Sequence, residues 1–289
     1  MTTKALILAL LTIFLWSFLA FLGAALVHLP PILIVAITLT ISGLVSMLKV
    51  RTWKVPWTTL IIGIGGLFGY HFLFFSAFKY APAVEANLLN YLWPLLIVLL
   101  TPLYLPGYTL QKHHIVGAIL GLMGAGLIVS GGKIDLDMKN LSGYLMAAGA
   151  AFVCASYSLL TKRVKPFSTG AVGGFCLSSG VLAFGIFLVQ GGRLEIFSII
   201  SMRDWLFLVL MGMGPLGAAF FTWDAALKRG DPRIIGSLTY LTPMLSTLNL
   251  VLLGGKSLNW ISASAMLLII AGALIGSLDI IYQKNFEST

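Results

Sequence analysis

The sequence predicts an all-α membrane protein in which ten transmembrane helices form two inverted five-helix repeats, with both termini in the cytoplasm. Three observations lead to this fold class: a composition too poor in charge for a water-covered surface, apolar stretches long enough to span a bilayer, and an internal repeat at a constant offset. Because each repeat holds an odd number of helices, the second enters the membrane from the side opposite to the first.

The composition is that of a chain surrounded by lipid. Hydrophobic residues make up 59% of the 289 positions, charged residues only 9%, and the mean hydropathy is +1.01. A soluble domain carries about 25% charged residues, because its surface must be solvated. The net charge of +9 lies in short clusters of Lys and Arg between apolar runs, which is typical of membrane-flanking charges. We therefore expect a lipid bilayer around the chain and no nucleic-acid partner.

Ten stretches reach the length of about 20 mostly apolar residues that a membrane span requires. They are predicted at residues 4–27, 31–49, 58–78, 82–104, 113–130, 142–163, 169–189, 204–227, 232–253 and 259–282. Prolines and paired glycines separate them, since proline lacks an N–H and glycine permits tight reversals. The first stretch is longer than the apolar part of a cleavable signal segment, so we expect it to be retained.

Positive charges orient these spans. With a cytoplasmic N-terminus, twelve Lys and Arg residues fall on the inner side and six on the outer side, which favours both termini inside. The inner residues are Lys4, Lys49, Arg51, Lys54, Lys112, Lys162, Arg163, Lys165, Lys228, Arg229, Arg233 and Lys284. The outer residues are Lys79, Lys133, Lys139, Arg193, Arg203 and Lys256.

The internal repeat has an offset of 149 positions, which places the third and fourth spans on the eighth and ninth. Residues Tyr91–Pro94 then meet Tyr240–Pro243, both reading Y-L-x-P, and Lys79 meets Lys228. The two lysines lie on opposite predicted sides of the membrane, as inverted repeats require. Such repeats are typical of secondary transporters, whose substrate site lies near the bilayer midplane between the halves.

The ten-helix plan with Y-L-x-P in the fourth and ninth spans resembles the EamA-type branch of the drug/metabolite transporter superfamily. On that resemblance, residues 1–132 and 142–284 are its two five-helix repeats. Within the family, residues 70–71, 81–86, 90–94, 172–176 and 214–224 resemble aromatic amino acid exporters of the YddG type. The resemblance implies a carrier in the inner membrane. It would export small amphipathic metabolites, foremost aromatic or other hydrophobic amino acids, by alternating access through a central cavity.

One position departs from the family pattern. Lys256 stands where many members carry Glu after Gly near the end of the ninth helix. The departure does not touch any predicted binding residue.

Polar and aromatic side chains at the bilayer midplane are costly unless they face a cavity or a partner. The fourth span places Asn90, Tyr91 and Trp93 in the membrane interior, and the third span places Tyr70 and His71 there. Aromatic rings beside hydrogen-bonding groups suit an amphipathic ligand, because the rings stack on its apolar part while hydroxyl and imidazole groups hold its polar ends. We predict that these five residues bind substrate. The alternative is that they only pack, or belong to an interfacial aromatic belt.

The second half offers Trp223, Tyr240 and Ser246 in the equivalent region, and we predict that these also bind substrate. Serine at such a place can instead join helices by hydrogen bonds. Pro94 and Pro243 interrupt the i to i−4 ladder inside their helices and are predicted as hinge or kink positions.

Two further patterns concern ionisable groups. Asp224 lies four residues before Lys228, which predicts an ion pair near the inner end of the eighth span. Asp279, near the cytoplasmic end of the last span, is expected to be solvated.

Other functions are disfavoured by what the sequence lacks. An intramembrane enzyme needs a nucleophile and base, or metal ligands, within mutual reach, and the sequence contains no H-E-x-x-H motif and no paired mid-membrane aspartates. We therefore expect no catalytic residue, cofactor or metal. A channel stays open as an alternative, although the inverted repeat favours a carrier. A second carrier hypothesis is export of drugs or cationic compounds, held by cation–π contacts. We expect a monomer.

Overall fold

The computed structural model describes residues 2–133, 137–253 and 260–279. Within these ranges the chain forms helices and no strand, which confirms the all-α prediction. Nine stretches in the described residues are long and apolar enough to cross a membrane, and Trp260–Gly276 is a further, shorter apolar helix. Both ends of the predicted tenth span, together with Lys256 and Lys284, lie outside the described residues.

The α-helices follow one another along the chain with short connections. They are α1 Thr3–Ser17, α2 Leu19–Ala25, α3 Pro31–Ser46, α4 Trp57–Ala77, α5 Ala83–Asn90, α6 Leu92–Tyr104, α7 Lys112–Ser130, α8 Leu141–Arg163, α9 Val172–Val189, α10 Met202–Met213, α11 Ala219–Arg229, α12 Pro232–Leu238, α13 Leu241–Leu252 and α14 Trp260–Gly276. Short 3-10 segments cover Met47–Trp53, Met138–Asn140, Thr169–Ala171 and Leu194–Ser198, and a π-helical segment covers Gly214–Ala218.

Four predicted spans are interrupted, which explains why there are more helices than spans. α1 gives way to α2 at Phe18, where the Ser17 hydroxyl donates to the Phe14 carbonyl and competes with the backbone ladder. The π-helical segment separates α10 from α11, in a stretch that contains Pro215. The other two interruptions, between α5 and α6 and between α12 and α13, have a common cause in proline.

Each of these two interruptions begins three or four residues before a proline. α5 ends at Asn90 and α12 ends at Leu238, while the prolines are Pro94 and Pro243. A proline ring clashes with the carbonyl four residues before it and donates no N–H to that carbonyl. The helix therefore breaks at the start of the turn rather than at the proline itself.

Glycines allow neighbouring helices to touch backbone to backbone. A Cβ atom at Gly117 of α7 would lie 2.7 Å from the Gly272 carbonyl oxygen of α14, closer than real Cβ atoms come. α3 and α9 meet in the same way, since a Cβ at Gly180 would lie 2.7 Å from the Thr40 nitrogen. These contacts are typical of membrane helices, where small residues permit close packing. Five other helices, α1, α4, α6, α8 and α11, surround a group of interior aromatic residues.

Candidate substrate site

Three tryptophans from different helices meet inside the bundle. Trp16 of α1, Trp93 of α6 and Trp223 of α11 have ring centroids 5.2 to 5.8 Å apart. Two of the pairs are edge-to-face, the arrangement that aromatic quadrupoles favour. Trp93 is 8% exposed and Trp223 only 2%, so these rings are interior side chains and not part of an interfacial belt.

Phe220 and His71 extend this group. The Phe220 ring lies 6.2 Å from Trp16 and 6.0 Å from His71 by centroid distance. Trp16, His71, Trp93, Phe220 and Trp223 together form the central aromatic cluster. It draws on α1, α4, α6 and α11, and so on both the first and the second half of the chain.

The orientation of Trp223 is fixed by a hydrogen bond. Its indole nitrogen donates to the Ser158 hydroxyl of α8 at 3.0 Å, and Ser158 in turn donates to the Cys154 carbonyl at 2.8 Å. Trp223 therefore presents its ring faces, and not its N–H, to the rest of the cluster.

His71 carries a defined tautomer. Its Nδ1 lies 2.7 Å from the Leu67 carbonyl oxygen, and since a carbonyl can only accept, Nδ1 holds the proton. In the neutral ring Nε2 is then an acceptor. His71 is 4% exposed, so this acceptor lies in the interior, where a hydrogen bond from a ligand is stronger than in water.

A second interior acceptor belongs to Asn90, which is linked to His71 through Tyr70. The Asn90 amide nitrogen donates to the Tyr70 hydroxyl at 3.3 Å, and the Tyr70 ring stacks edge-on to His71 at 4.9 Å. Asn90 Oδ1 is buried and has no hydrogen-bond partner among the described residues. A buried acceptor of this kind is costly unless something donates to it. Tyr70, His71 and Asn90 therefore form a polar edge to the aromatic cluster.

Tyr240 is held in a different way. It is fully buried, and its hydroxyl donates to the Tyr91 carbonyl at 3.2 Å while accepting from the Leu95 backbone nitrogen at 3.1 Å. The hydroxyl thus lies between two backbone groups that would bond directly in an unbroken helix. Tyr91 itself is partly buried and packs beside Tyr240 and Val98. Whether either tyrosine binds substrate stays a prediction.

Ser246 is partly buried in α13, and within the described part of the chain no ring contact or hydrogen bond joins it to the other predicted residues. Three residues outside the predicted set contact its members, namely Trp16 and Phe220 through their rings and Ser158 through a hydrogen bond. Trp16 had a signal, as a tryptophan in the middle of the first span, and Phe220 is the repeat equivalent of His71 at the offset of 149.

The predicted ion pair in the eighth span is confirmed. Lys228 Nζ lies 2.7 Å from Asp224 Oδ2, and the Thr169 hydroxyl donates to the same oxygen at 2.6 Å. Lys228 also donates to the Phe167 carbonyl and lies over the Phe167 ring. Asp224 is 2% exposed, so this pair holds the connection between α8 and α9 against α11.

Asp279 was expected to be solvated, and its side chain is 30% exposed but also paired with two histidines. His113 Nε2 and His114 Nε2 each lie 3.0 Å from its carboxylate. The three ligand atoms are close enough for a metal ion, but the His114 ring argues otherwise. The Gln111 backbone N–H donates to His114 Nδ1, so the proton is on Nε2, the atom that a metal at this place would need. The geometry fits a hydrogen-bonded histidine–carboxylate contact.

Long apolar helices around an interior cluster of aromatic and hydrogen-bonding groups are typical of a multi-pass membrane transporter. Comparison with known proteins identifies its family. The sequence profile of the EamA-like transporter family matches residues 3–130 and again 141–278, and the chain belongs to this family. Family membership confirms the resemblance noted from the sequence, and it indicates a transporter, which is not an enzyme. EamA exporters are multi-pass inner-membrane proteins, so the predicted location is confirmed as well.

Several relatives match over nearly their full length. The chain is 39% identical to the aromatic amino acid exporter YddG of Ancylobacter novellus, over 96% of this chain and 98% of that protein. It is 25% identical to the aromatic amino acid exporter YddG of Escherichia coli, over 94% and 96% of the two chains. A crystal structure that is 38% identical superimposes with a TM-score of 0.90, over 96% of this chain and 98% of that one.

Proposed function

We propose that this EamA-family protein exports aromatic amino acids, and that the central aromatic cluster with its polar edge is the substrate site. The observation that carries the proposal is the meeting of Trp16, Trp93 and Trp223 at 5.2 to 5.8 Å, joined through the Phe220 ring to His71. The names of the relatives in Ancylobacter novellus and Escherichia coli support the same substrate class.

The chemistry of the cluster suits a zwitterion with an aromatic side chain. The indole faces can stack on the substrate ring, while His71 Nε2 and Asn90 Oδ1 accept hydrogen bonds from its ammonium group. The Tyr91 hydroxyl, which makes no hydrogen bond to a described residue, can donate to the carboxylate. No member of the cluster is an acid, which favours a zwitterion over a dication as substrate.

We further propose that the chain works by alternating access between two inverted five-helix repeats, with both termini cytoplasmic, as a monomer. Contacts between repeat-equivalent residues support this symmetry. The Tyr240 hydroxyl bonds to the Tyr91 carbonyl, and the Phe220 ring contacts His71, both at the offset of 149. Equivalent residues meet in this way beside a pseudo-two-fold axis in the membrane plane, where transporters of this kind bind substrate. Since the rings of the cluster are largely buried, a substrate enters only when they separate.

The test is transport in liposomes. We expect reconstituted protein to exchange labelled phenylalanine in a saturable counterflow, inhibited by tryptophan and little affected by threonine or a dicationic herbicide. Absence of amino acid movement in either direction would refute the substrate assignment. Inhibition mainly by the dication would favour the cationic-compound exporter, and flux without saturation or counterflow would favour a channel.

A further inference from the structure

The break between α5 and α6 is filled by a side chain from the other half of the protein. In a continuous helix the Leu95 N–H would donate to the Tyr91 carbonyl four residues earlier. Here the Tyr240 hydroxyl lies between them, accepting from Leu95 at 3.1 Å and donating to Tyr91 at 3.2 Å. Insertion of a polar group into the ladder is a recognised cause of a sharp helix kink.

The inserted tyrosine occupies a defined position in the internal repeat. Tyr240 is the repeat equivalent of Tyr91, and it stands at the break between α12 and α13 as Tyr91 stands at the break between α5 and α6. The break in one half is thus stabilised by the residue that marks the break in the other. Tyr240 is fully buried, and its ring lies against Gly121 of α7, where any Cβ would overlap it.

The arrangement is not symmetric. By the offset of 149, the matching contact would place the Tyr91 hydroxyl between the Tyr240 carbonyl and the Met244 nitrogen. Among the described residues the Tyr91 hydroxyl makes no such bond and the residue is only partly buried. Inverted repeats that adopt different conformations exchange those conformations when the transporter changes from one open side to the other.

We propose that Tyr91 and Tyr240 are positioning residues that exchange roles during transport. In the conformation described, the Tyr240 hydroxyl fills the α5–α6 break; in the opposite conformation the Tyr91 hydroxyl fills the α12–α13 break. Each hydroxyl satisfies backbone groups in a region from which water is excluded, so each stabilises one of the two conformations. This inference rests on the proposed alternating access and adds to it the residues that couple the two breaks.

The proposal makes opposite predictions for two conservative changes. Tyr240→Phe removes the bond of the described conformation, so the ratio of this conformation to the opposite one should fall about fivefold, the value of one buried hydrogen bond. Tyr91→Phe should raise that ratio by a similar factor, and the double variant should return near the wild-type ratio. Tyr144→Phe is the matched control, because among the described residues this buried tyrosine accepts only from Asn140, which directly precedes α8.

The measurement is the distance distribution between spin labels in the absence of substrate. One label pair at Tyr80 and Leu194 reports on one end of the bundle, and a second pair at Leu103 and Arg229 reports on the other; these positions are exposed. Opposite shifts for Tyr91→Phe and Tyr240→Phe, with none for Tyr144→Phe, are expected. Shifts in the same direction, or one unchanged distribution in all variants, would overturn the proposal. Because no substrate is present, the result is independent of whether the substrate assignment holds.

Discussion

The contact between α7 and α14 gives a prediction whose size follows from the geometry. Replacing Gly117 with Ala would put a Cβ atom 2.5 Å from the Gly276 Cα and 2.7 Å from the Gly272 carbonyl oxygen. Both neighbours are backbone atoms, so no side-chain rotation can make room. The two helices must move apart along a face where they now touch.

Such overpacking costs about 1–3 kcal/mol, with backbone clashes at the upper end. Alanine also gains about 0.5–1 kcal/mol over glycine inside a helix, so the net loss for Gly117→Ala is ~2 kcal/mol. Gly185→Ala in α9 is the matched control. Its Cβ would meet nothing within 4 Å, and it should therefore show only the gain.

The assay is thermal unfolding of both variants in the same detergent. We expect Gly117→Ala to unfold below the wild type and Gly185→Ala at or above it, with the two variants separated by about 4 °C or more. Equal unfolding temperatures for the two variants would refute the close approach of α7 and α14.

Three further predictions concern the interior. Trp223→Phe removes the N–H that donates to Ser158, so the free energy of unfolding should fall by about 1 kcal/mol. In a Ser158→Ala background the same change should lower the free energy of unfolding by less, and an equal loss would contradict the hydrogen bond. Lys228→Met should destabilise the protein more than Lys228→Met combined with Asp224→Asn, because the single change leaves a buried carboxylate unpaired. Unfolding temperatures in detergent measure the order of stability, and a less stable double variant would contradict the ion pair. His71→Gln retains a hydrogen-bond acceptor that His71→Phe lacks. Phenylalanine flux in liposomes should therefore be about tenfold lower in the Phe variant than in the Gln variant. Equal flux would exclude a role for Nε2.

The class of fold can be predicted from the sequence because the features that define a membrane span are local. Long apolar stretches and their proline and glycine boundaries follow from the bilayer thickness and from the chemistry of single residues. The positions of the breaks were harder to predict. Pro94 marks a break, but the helix ends at Asn90, where the proline ring meets the carbonyl four residues earlier. The break at Phe18 and the π-helical segment at Gly214–Ala218 were not predicted.

The composition of the proposed site likewise divides into residues that the sequence predicts and residues that it does not. Trp93, Trp223 and His71 were predicted because aromatic and polar groups in a membrane interior need a reason to be there. Phe220 was missed, since one phenylalanine among 18 carries no signal until its contact with His71 is seen. The Tyr240 hydroxyl donates to the carbonyl of a residue 149 positions earlier, and no local sequence pattern predicts such a contact.

The most direct test of the proposed substrate site compares a buried tryptophan with an exposed one. Trp93 is 8% exposed within the aromatic cluster, whereas Trp57 is 72% exposed at the start of α4. Each is replaced with Ala, membrane insertion and unfolding temperature are checked, and counterflow of labelled phenylalanine is measured in liposomes. We predict that Trp93→Ala lowers the flux about tenfold or more while Trp57→Ala leaves it near the wild-type value. Equal flux in two well-inserted variants would contradict the claim that the substrate passes through the central aromatic cluster.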